Sequence, residues 1–548
     1  MSEASFSLSG NLVDVIAASI RPATISVAGG RIAAIRWEDR PYDRYLIPGL
    51  IDAHIHIESS MLVPAEFARA AVGHGTVAVV ADPHEIANVL GSAGVRYMVQ
   101  NGRSVPFKFY FGAPSCVPAS AHETSGAVLD ASQIEELFVR DDLKFLGEMM
   151  DYPGVLAGEP AVLAKLAAAR RHGRPVDGHA PGLRGAALRR YLAAGISTDH
   201  EAFTLEEGLE KASLGMKILI REGTAARNFA ALHPLIAAYP EQVMFCTDDR
   251  HPGDLLAGHL DRTVRAALAL GYDRFQVLRC ASLNPIRHYG LEVGLLQPGD
   301  PADFAVINNF DEFRILATYI DGQPVAEDGR SLIPRLPVER VNHFAAVPQS
   351  PAAFRIPARS GSLNVIGAVD GELVTTRLHL LPTVADGWAL ADPGRDLLKI
   401  AVLNRYRPAA PAVGFIHNFG LREGAIAASV AHDSHNIVAI GADDAALARA
   451  VNRIIELRGG LAAVAASGAE TVLPLPVAGL MSDGDGPSVA ADHRRLTEHA
   501  RALGATMADP FMTMAFMTLS VIPALKISDR GLFDGQRFRP IALFGDAD

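Results

Sequence analysis

LIPGLIDAHIHIE, residues 46–58, is the stretch on which the reading of this chain turns. An apolar run ends in two histidines, His54 and His56, spaced two apart. On an extended strand such residues leave the same face, so both imidazoles can grip one ion. A lone pair of this kind is weak evidence. It gains weight from the residues C-terminal to it.

Seven further strand-like runs alternate with Ala-rich helical stretches such as AVLAKLAAARRHG (161–173) and LRGAALRRYLAAG (183–195). In each run, or just beyond it, stands a group able to bind a metal or move a proton: His84 and Glu85, His122 and Glu123, Glu148, His179, His200, Arg221 and Glu222, Asp248 and Asp249. From His56 to Asp248 the interval averages about 27 residues, close to one strand–helix unit. Eight such units over residues 48–292 give the arithmetic of a (β/α)8 TIM-like barrel, whose strands present their carboxyl ends at one mouth. The polar groups are expected to converge there.

The flanks carry a different texture. Residues 1–47 hold β-branched runs, with Gly29-Gly30 placed for a hairpin turn, and residues 293–340 hold more of the same with Pro-Gly and Asp-Gly turns. Neither piece can bury a core by itself, so the two are expected to pair into one split β-sandwich domain. After a Pro-rich linker, residues 341–548 read as a separate α/β domain, in which AALARAVNRIIEL sets Leu447, Val451, Ile454 and Ile455 on one helical face. The fold class is α/β throughout.

Individual residues divide by chemistry. Glu148 lies between FLG and MM, which argues for burial, and a buried carboxylate calls for a nearby cation. It can bridge two ions. His179 and His200 stand at consecutive strand ends and can hold a second ion. Asp248 can bind one ion and also accept a proton from an activated water. If His84 and Glu85 lie on extended strand, only one can face the mouth; Glu85 is the proton-shuttle candidate. Asp249 suits the N-cap of the next helix. AHDSHNI (431–437) groups His432, Asp433 and His435, read as turn or core residues, and Met512, Met514 and Met517 read as core of one buried helix.

Composition narrows the classes. The 548 residues carry 50 Lys and Arg against 61 Asp and Glu, net −11, with no basic tract, which disfavours nucleic acid. Three scattered cysteines suit a reducing compartment, and no leader or spanning segment is legible, so a cytoplasmic location without membrane association is expected. GxSxG, P-loop and GxGxxG motifs are absent, as is the PCxxC half of the zinc cytidine-deaminase signature.

IPGLIDAHIHIE and the split β domain resemble the amidohydrolase superfamily of metal-dependent barrel hydrolases. More closely, ADPHEIANVLG, FLGEMMDYPGV, DGHAPGL, TDHE, REGTAARN, TDDRHP and AHDSHNI resemble the adenine deaminase family over nearly the whole chain, including the third domain. The resemblance implies hydrolysis of adenine to hypoxanthine and ammonia at two divalent ions, Mn(II) or Fe(II), with Zn as an alternative. It implies that His54, His56 and Asp248 bind one ion, His179 and His200 the other, and that Glu148 bridges them where many relatives carry a carbamylated lysine. Asp248 is then the general base toward a hydroxide held at the ions, and Glu148 or Glu85 the proton donor to the ring, with His84 beside them. His122, Glu123, Arg221, Glu222 and Asp249 are expected to contact the purine base, and a homodimer or higher homo-oligomer is expected. Two alternatives stand: an amidohydrolase acting on another cyclic amide or N-acyl substrate with the same centre, and a metal-free scaffold that has lost catalysis.

Overall fold

The computed structural model describes residues 5–545, which divide into two compact units. One comprises Met1–Pro83, Arg96–Ser115 and Asp130–Leu336; the other comprises His84–Val95, Cys116–Leu129 and Pro337–Asp548.

The first unit contains eight short parallel strands: β1 Leu50–His56, β2 Thr76–Ala81, β3 Lys108–Phe111, β4 Leu146–Met149, β5 Val176–Gly178, β6 Thr198–Asp199, β7 Lys217–Arg221 and β8 Val243–Cys246. β1 pairs with β2 and β2 with β3, a bridge from Ala113 to Leu146 leads to β4, and β4 pairs with β5. A bridge from Val176 to Ile196 leads to β6, β6–β8 pair in order, and Asp248-Asp249 close the ring onto Ile55-His56. The result is a (β/α)8 barrel. Most of its strand residues are buried, which is why the strands read as near-continuous apolar runs.

Two glycines are dictated by close approach. A Cβ on Gly147 would stand 2.3 Å from the Asp82 carboxylate, and one on Gly178 would stand 2.3 Å from the Thr198 carbonyl. Each precedes a candidate ligand, Glu148 or His179.

The same unit holds an eight-stranded sheet built from both flanks of the barrel. Tyr45–Pro48 runs parallel to Phe6–Asp14 and antiparallel to Phe304–Ile307, so residues some 260 positions apart become neighbours. Leu12, Ile25, Ile32, Leu46, Phe304 and Val306 form its core. Gly29 and Gly30 make the hairpin turn with φ of 59° and 73°.

The second unit is organised around a nine-stranded mixed sheet that includes Ser362–Gly367, Leu398–Leu403 and Ile437–Gly441. The helix Asp444–Leu457 is capped by Asp443, which accepts from Ala446 N, and packs Leu447, Val451 and Ile454 into the core, with Ile455 at its edge. Its left-handed terminal residue is Arg458 (φ 56°), one position before Gly459-Gly460.

The Met-rich segment departs from expectation. Helix forms only over Pro510–Phe516, and the apolar run beyond it is irregular. Thr518, Ser520 and Pro523 supply the reason, since hydroxyls compete for backbone partners and proline cannot continue a helix. The methionines are buried core. Among the described residues no helix is long and apolar enough to cross a membrane, and all three cysteines are buried thiols.

Candidate metal centre

At the carboxyl ends of the barrel strands the structure brings His54, His56, Glu148, His179, His200 and Asp248 together, all buried. His54 Nε2 and His56 Nε2 are 3.2 Å apart, and Asp248 Oδ1 lies 3.6 Å from the first and 3.1 Å from the second. Glu148 Oε1 is 3.5 Å from His56 Nε2. Its other oxygen, Oε2, is 2.9 Å from both His179 Nδ1 and His200 Nε2. Glu148 thus spans two groups of nitrogen donors.

The arrangement fits a divalent cation. His56 Nδ1 lies 2.9 Å from the Asp82 carbonyl, an acceptor, so Nδ1 carries the proton and Nε2 presents a lone pair. Lone pairs of several donors aimed at one point repel unless a positive charge lies among them. Donors about 2.1 Å from one ion stand roughly 3–3.5 Å from each other, as these do. Carboxylates also dominate the local field. Burial pushes the His179 pKa down, but Glu201 and Glu148 reverse this and lift it to about 9, so the cluster attracts positive charge.

Each donor is held by the strand end that carries it. Asp248 adopts a left-handed backbone (φ 53°), a conformation aspartate tolerates better than most residues. Its Oδ2 accepts from Arg221 Nη1 at 2.7 Å, and the same guanidinium nitrogen donates to Glu201. Burial would raise the Asp248 pKa, but Arg221 and then His56 and His200 hold it well below the usual carboxylate range. Glu148 N donates to Asp82 Oδ2 at 2.9 Å and Ser115 Oγ donates to the Glu148 carbonyl at 2.5 Å, which fixes the end of β4.

A buried lysine organises the second half. Lys211 Nζ reaches Glu207 Oε1 (2.6 Å), the Ala180 carbonyl (2.8 Å) and Asp199 Oδ2 (2.9 Å). Asp199 accepts from Ala180 N and Ala202 N, both at 2.9 Å, and Glu207 accepts from Gly182 N at 2.8 Å. The backbone just after His179 and around His200 is therefore clamped by one ion network.

Asp249 does not cap the following helix, whose N-cap is His251; its Oδ1 accepts from Ser59 Oγ at 2.5 Å. Glu222 is half-buried and accepts from Phe229 N at 3.3 Å. His84 and Glu85 are not on a strand. They open the helix His84–Leu90, a helical start made available by the preceding Pro83, and belong to the second unit. There Glu85 Oε1 lies 3.3 Å from His432 Nδ1, and Asp433 Oδ1 lies 3.7 Å from His84 Nε2. His432, Asp433 and His435 are buried, as a core reading requires, yet they gather around these residues. Glu123 Oε1 accepts from Ser120 N (3.0 Å) and Ser520 Oγ (3.1 Å), and its Oε2 from Ser434 Oγ. The His122 ring lies 5.0 Å from the Phe533 ring, tilted by 37°.

Sequence reasoning missed Glu201, Asp82, Lys211 and Asp199. For Glu201 a signal was present, because it directly follows His200 in TDHE and completes a third group with His179 and His200.

A barrel whose strand ends present four imidazoles and shared carboxylates defines a class of metal-dependent hydrolase, and the relatives of the chain agree. The amidohydrolase family matches residues 45–325, and the adenine deaminase C-terminal domain matches residues 372–539. The adenine deaminase of Salinibacter ruber is 56% identical over 99% of this chain and 100% of its own length. That of a Sulfurovum species is 54% identical over 97% and 98%, and that of Methanosarcina mazei 50% identical over 98% and 99%. The chain belongs to the amidohydrolase family and, within it, to the adenine deaminases. The family implies binding of divalent metal, and the clustered His, Glu and Asp side chains offer donors for it.

Proposed function

We propose that this protein is a hydrolase that converts adenine and water to hypoxanthine and ammonia. The observation that carries the reading is Glu148 placed between the His54–His56–Asp248 group and the His179–His200 group, in a chain matching adenine deaminases over its whole length. His54, His56 and Asp248 would hold one divalent ion, His179 and His200 a second, and Glu148 both. Mixed imidazole and carboxylate donors suit Mn(II), Fe(II) or Zn(II). Such ions, when bound, make water nucleophilic near neutral pH and polarise the reacting centre.

The side chains divide the proton work. Arg221 keeps Asp248 ionised, so Asp248 takes the proton of the attacking water and delivers it to the departing amine at C6. N1 of the ring must gain a proton as C6 becomes tetrahedral. We assign that proton transfer to Glu85, whose Oε1 lies 3.3 Å from His432 Nδ1. The six-membered ring accepts water at C6 while its C–N bond to the amine breaks, and no oxidant is required.

A substrate panel tests the assignment. The expected result is ammonia release from adenine, with adenosine unreactive. Hydrolysis of cyclic amides or N-acyl compounds with no turnover of adenine would replace this reading with that of another amidohydrolase.

A further inference from the structure

The segments after β7 and β8, at the same end of the barrel as the ligand cluster, enclose a separate cavity of about 240 Å3. Its wall includes Glu222 and Arg227 after β7, Arg250 and Asp254 after β8, and Arg262 and Thr263 from the helix Leu260–Ala269.

Arg250 is only 4% exposed. Its Nη1 donates to the Glu222 carbonyl at 2.8 Å and its Nη2 to the Asp254 carbonyl at 3.3 Å, while Nε has no hydrogen-bond partner among the described residues. Arg227 likewise donates to backbone carbonyls, of Gly223 at 3.0 Å and Thr224 at 3.3 Å. The two carboxylates on the wall are engaged with neutral donors: Asp254 Oδ2 accepts from Thr224 Oγ1 at 2.7 Å, and Glu222 from a backbone N–H. Thr263 Oγ1 is buried and also has no partner among the described residues.

Desolvating a buried guanidinium is costly, and a buried unsatisfied donor calls for a group that fills it. Three guanidiniums against two carboxylates leave the cavity net positive, with two unfilled buried polar atoms on its wall. Guanidinium donors match the oxygens of phosphate, and barrels recurrently bind phosphate with the loops after strands seven and eight.

We propose that this cavity binds a phosphate-class oxyanion, free or as the monoester end of a phosphorylated sugar, at a site distinct from the metal centre. The two sources differ in what they ask of the wall, because sugar hydroxyls can donate to Glu222 and Asp254 whereas a free dianion is repelled by them. The site does not depend on the reaction assigned to the metals.

Calorimetric titration of the metal-loaded enzyme with inorganic phosphate, and separately with ribose 5-phosphate, tests it. One equivalent of at least one ligand should bind, tighter for the sugar ester if the carboxylates contribute. Arg262→Ala, at an exposed position, should weaken that binding about tenfold, and Arg250→Met by more. Absence of binding to both ligands, or equal binding by wild type and both variants, overturns the proposal; the second result would place the anion elsewhere.

Discussion

Arg221 Nη1 donates to Asp248 Oδ2 at 2.7 Å, while the other oxygen of Asp248 faces His56 Nε2 at 3.1 Å. One carboxylate is thus divided between a fixed cation and the ligand cluster. Asp248→Asn keeps the shape and removes the base. Turnover of adenine should fall by at least about a thousandfold, the loss expected when general-base help and a ligand charge go together. Circular dichroism should be unchanged, and wild-type rates in the variant would remove Asp248 from the reaction.

Arg221→Met leaves Asp248 and Glu201 facing each other across a buried gap without their shared donor. The expected effect is on kcat, about a hundredfold, with a much smaller change in KM, because Arg221 acts through Asp248 and not on the purine. A rise in KM alone would instead make Arg221 a substrate contact.

Lys211→Met strands Asp199 and Glu207 without their counter-ion. Breaking one partner of a buried ion network costs about 3–5 kcal/mol, readable as a lower urea midpoint. Because the clamped backbone carries His179 and His200, metal content should fall toward one ion per chain. A stable variant with full metal content would show the network to be dispensable.

Glu123 gives a pH signature. Burial pushes its pKa up to about 7, against the Ser434 hydroxyl and with the Asp433 charge adding to the rise. Protonated Glu123 is favoured by folding, so its contribution is fully present below the unfolded value of 4.5 and is lost as pH climbs through 7. The whole contribution is on the order of 3 kcal/mol. Stability measured against pH should therefore show a smaller decline between these limits in Glu123→Gln than in wild type. Parallel curves would contradict the shift.

Glu85→Gln should lose most of its rate with metals retained, since Glu85 is assigned proton transfer to the ring and not ligation. Loss of metal in that variant would make it a ligand.

The barrel was legible because its strands are buried on both faces and end in polar groups at a regular interval, so HxH at 54–56 and Asp248 could be placed at strand ends from the residues alone. The split sheet was legible for a similar reason: two apolar β fragments each too small to stand alone. Less could be read where long-range packing decides. Lys211 looks like an ordinary helical surface lysine in LEEGLEKAS, and only the fold puts Asp199 and the Ala180 carbonyl beside it. His84 and Glu85 continue a strand-like run in sequence, and Pro83 ends the strand before they are reached. His432 and Asp433, more than 340 residues further on, could not be joined to them by spacing alone.

The central claim is that six side chains hold two divalent ions that adenine hydrolysis requires. Titrating chelator-treated enzyme with Mn(II) or Fe(II) while following conversion of adenine to hypoxanthine tests it most directly. Activity should start near zero and saturate at two equivalents of metal per chain. Full activity in the metal-free protein, or saturation with no deamination of adenine at any loading, would contradict the account.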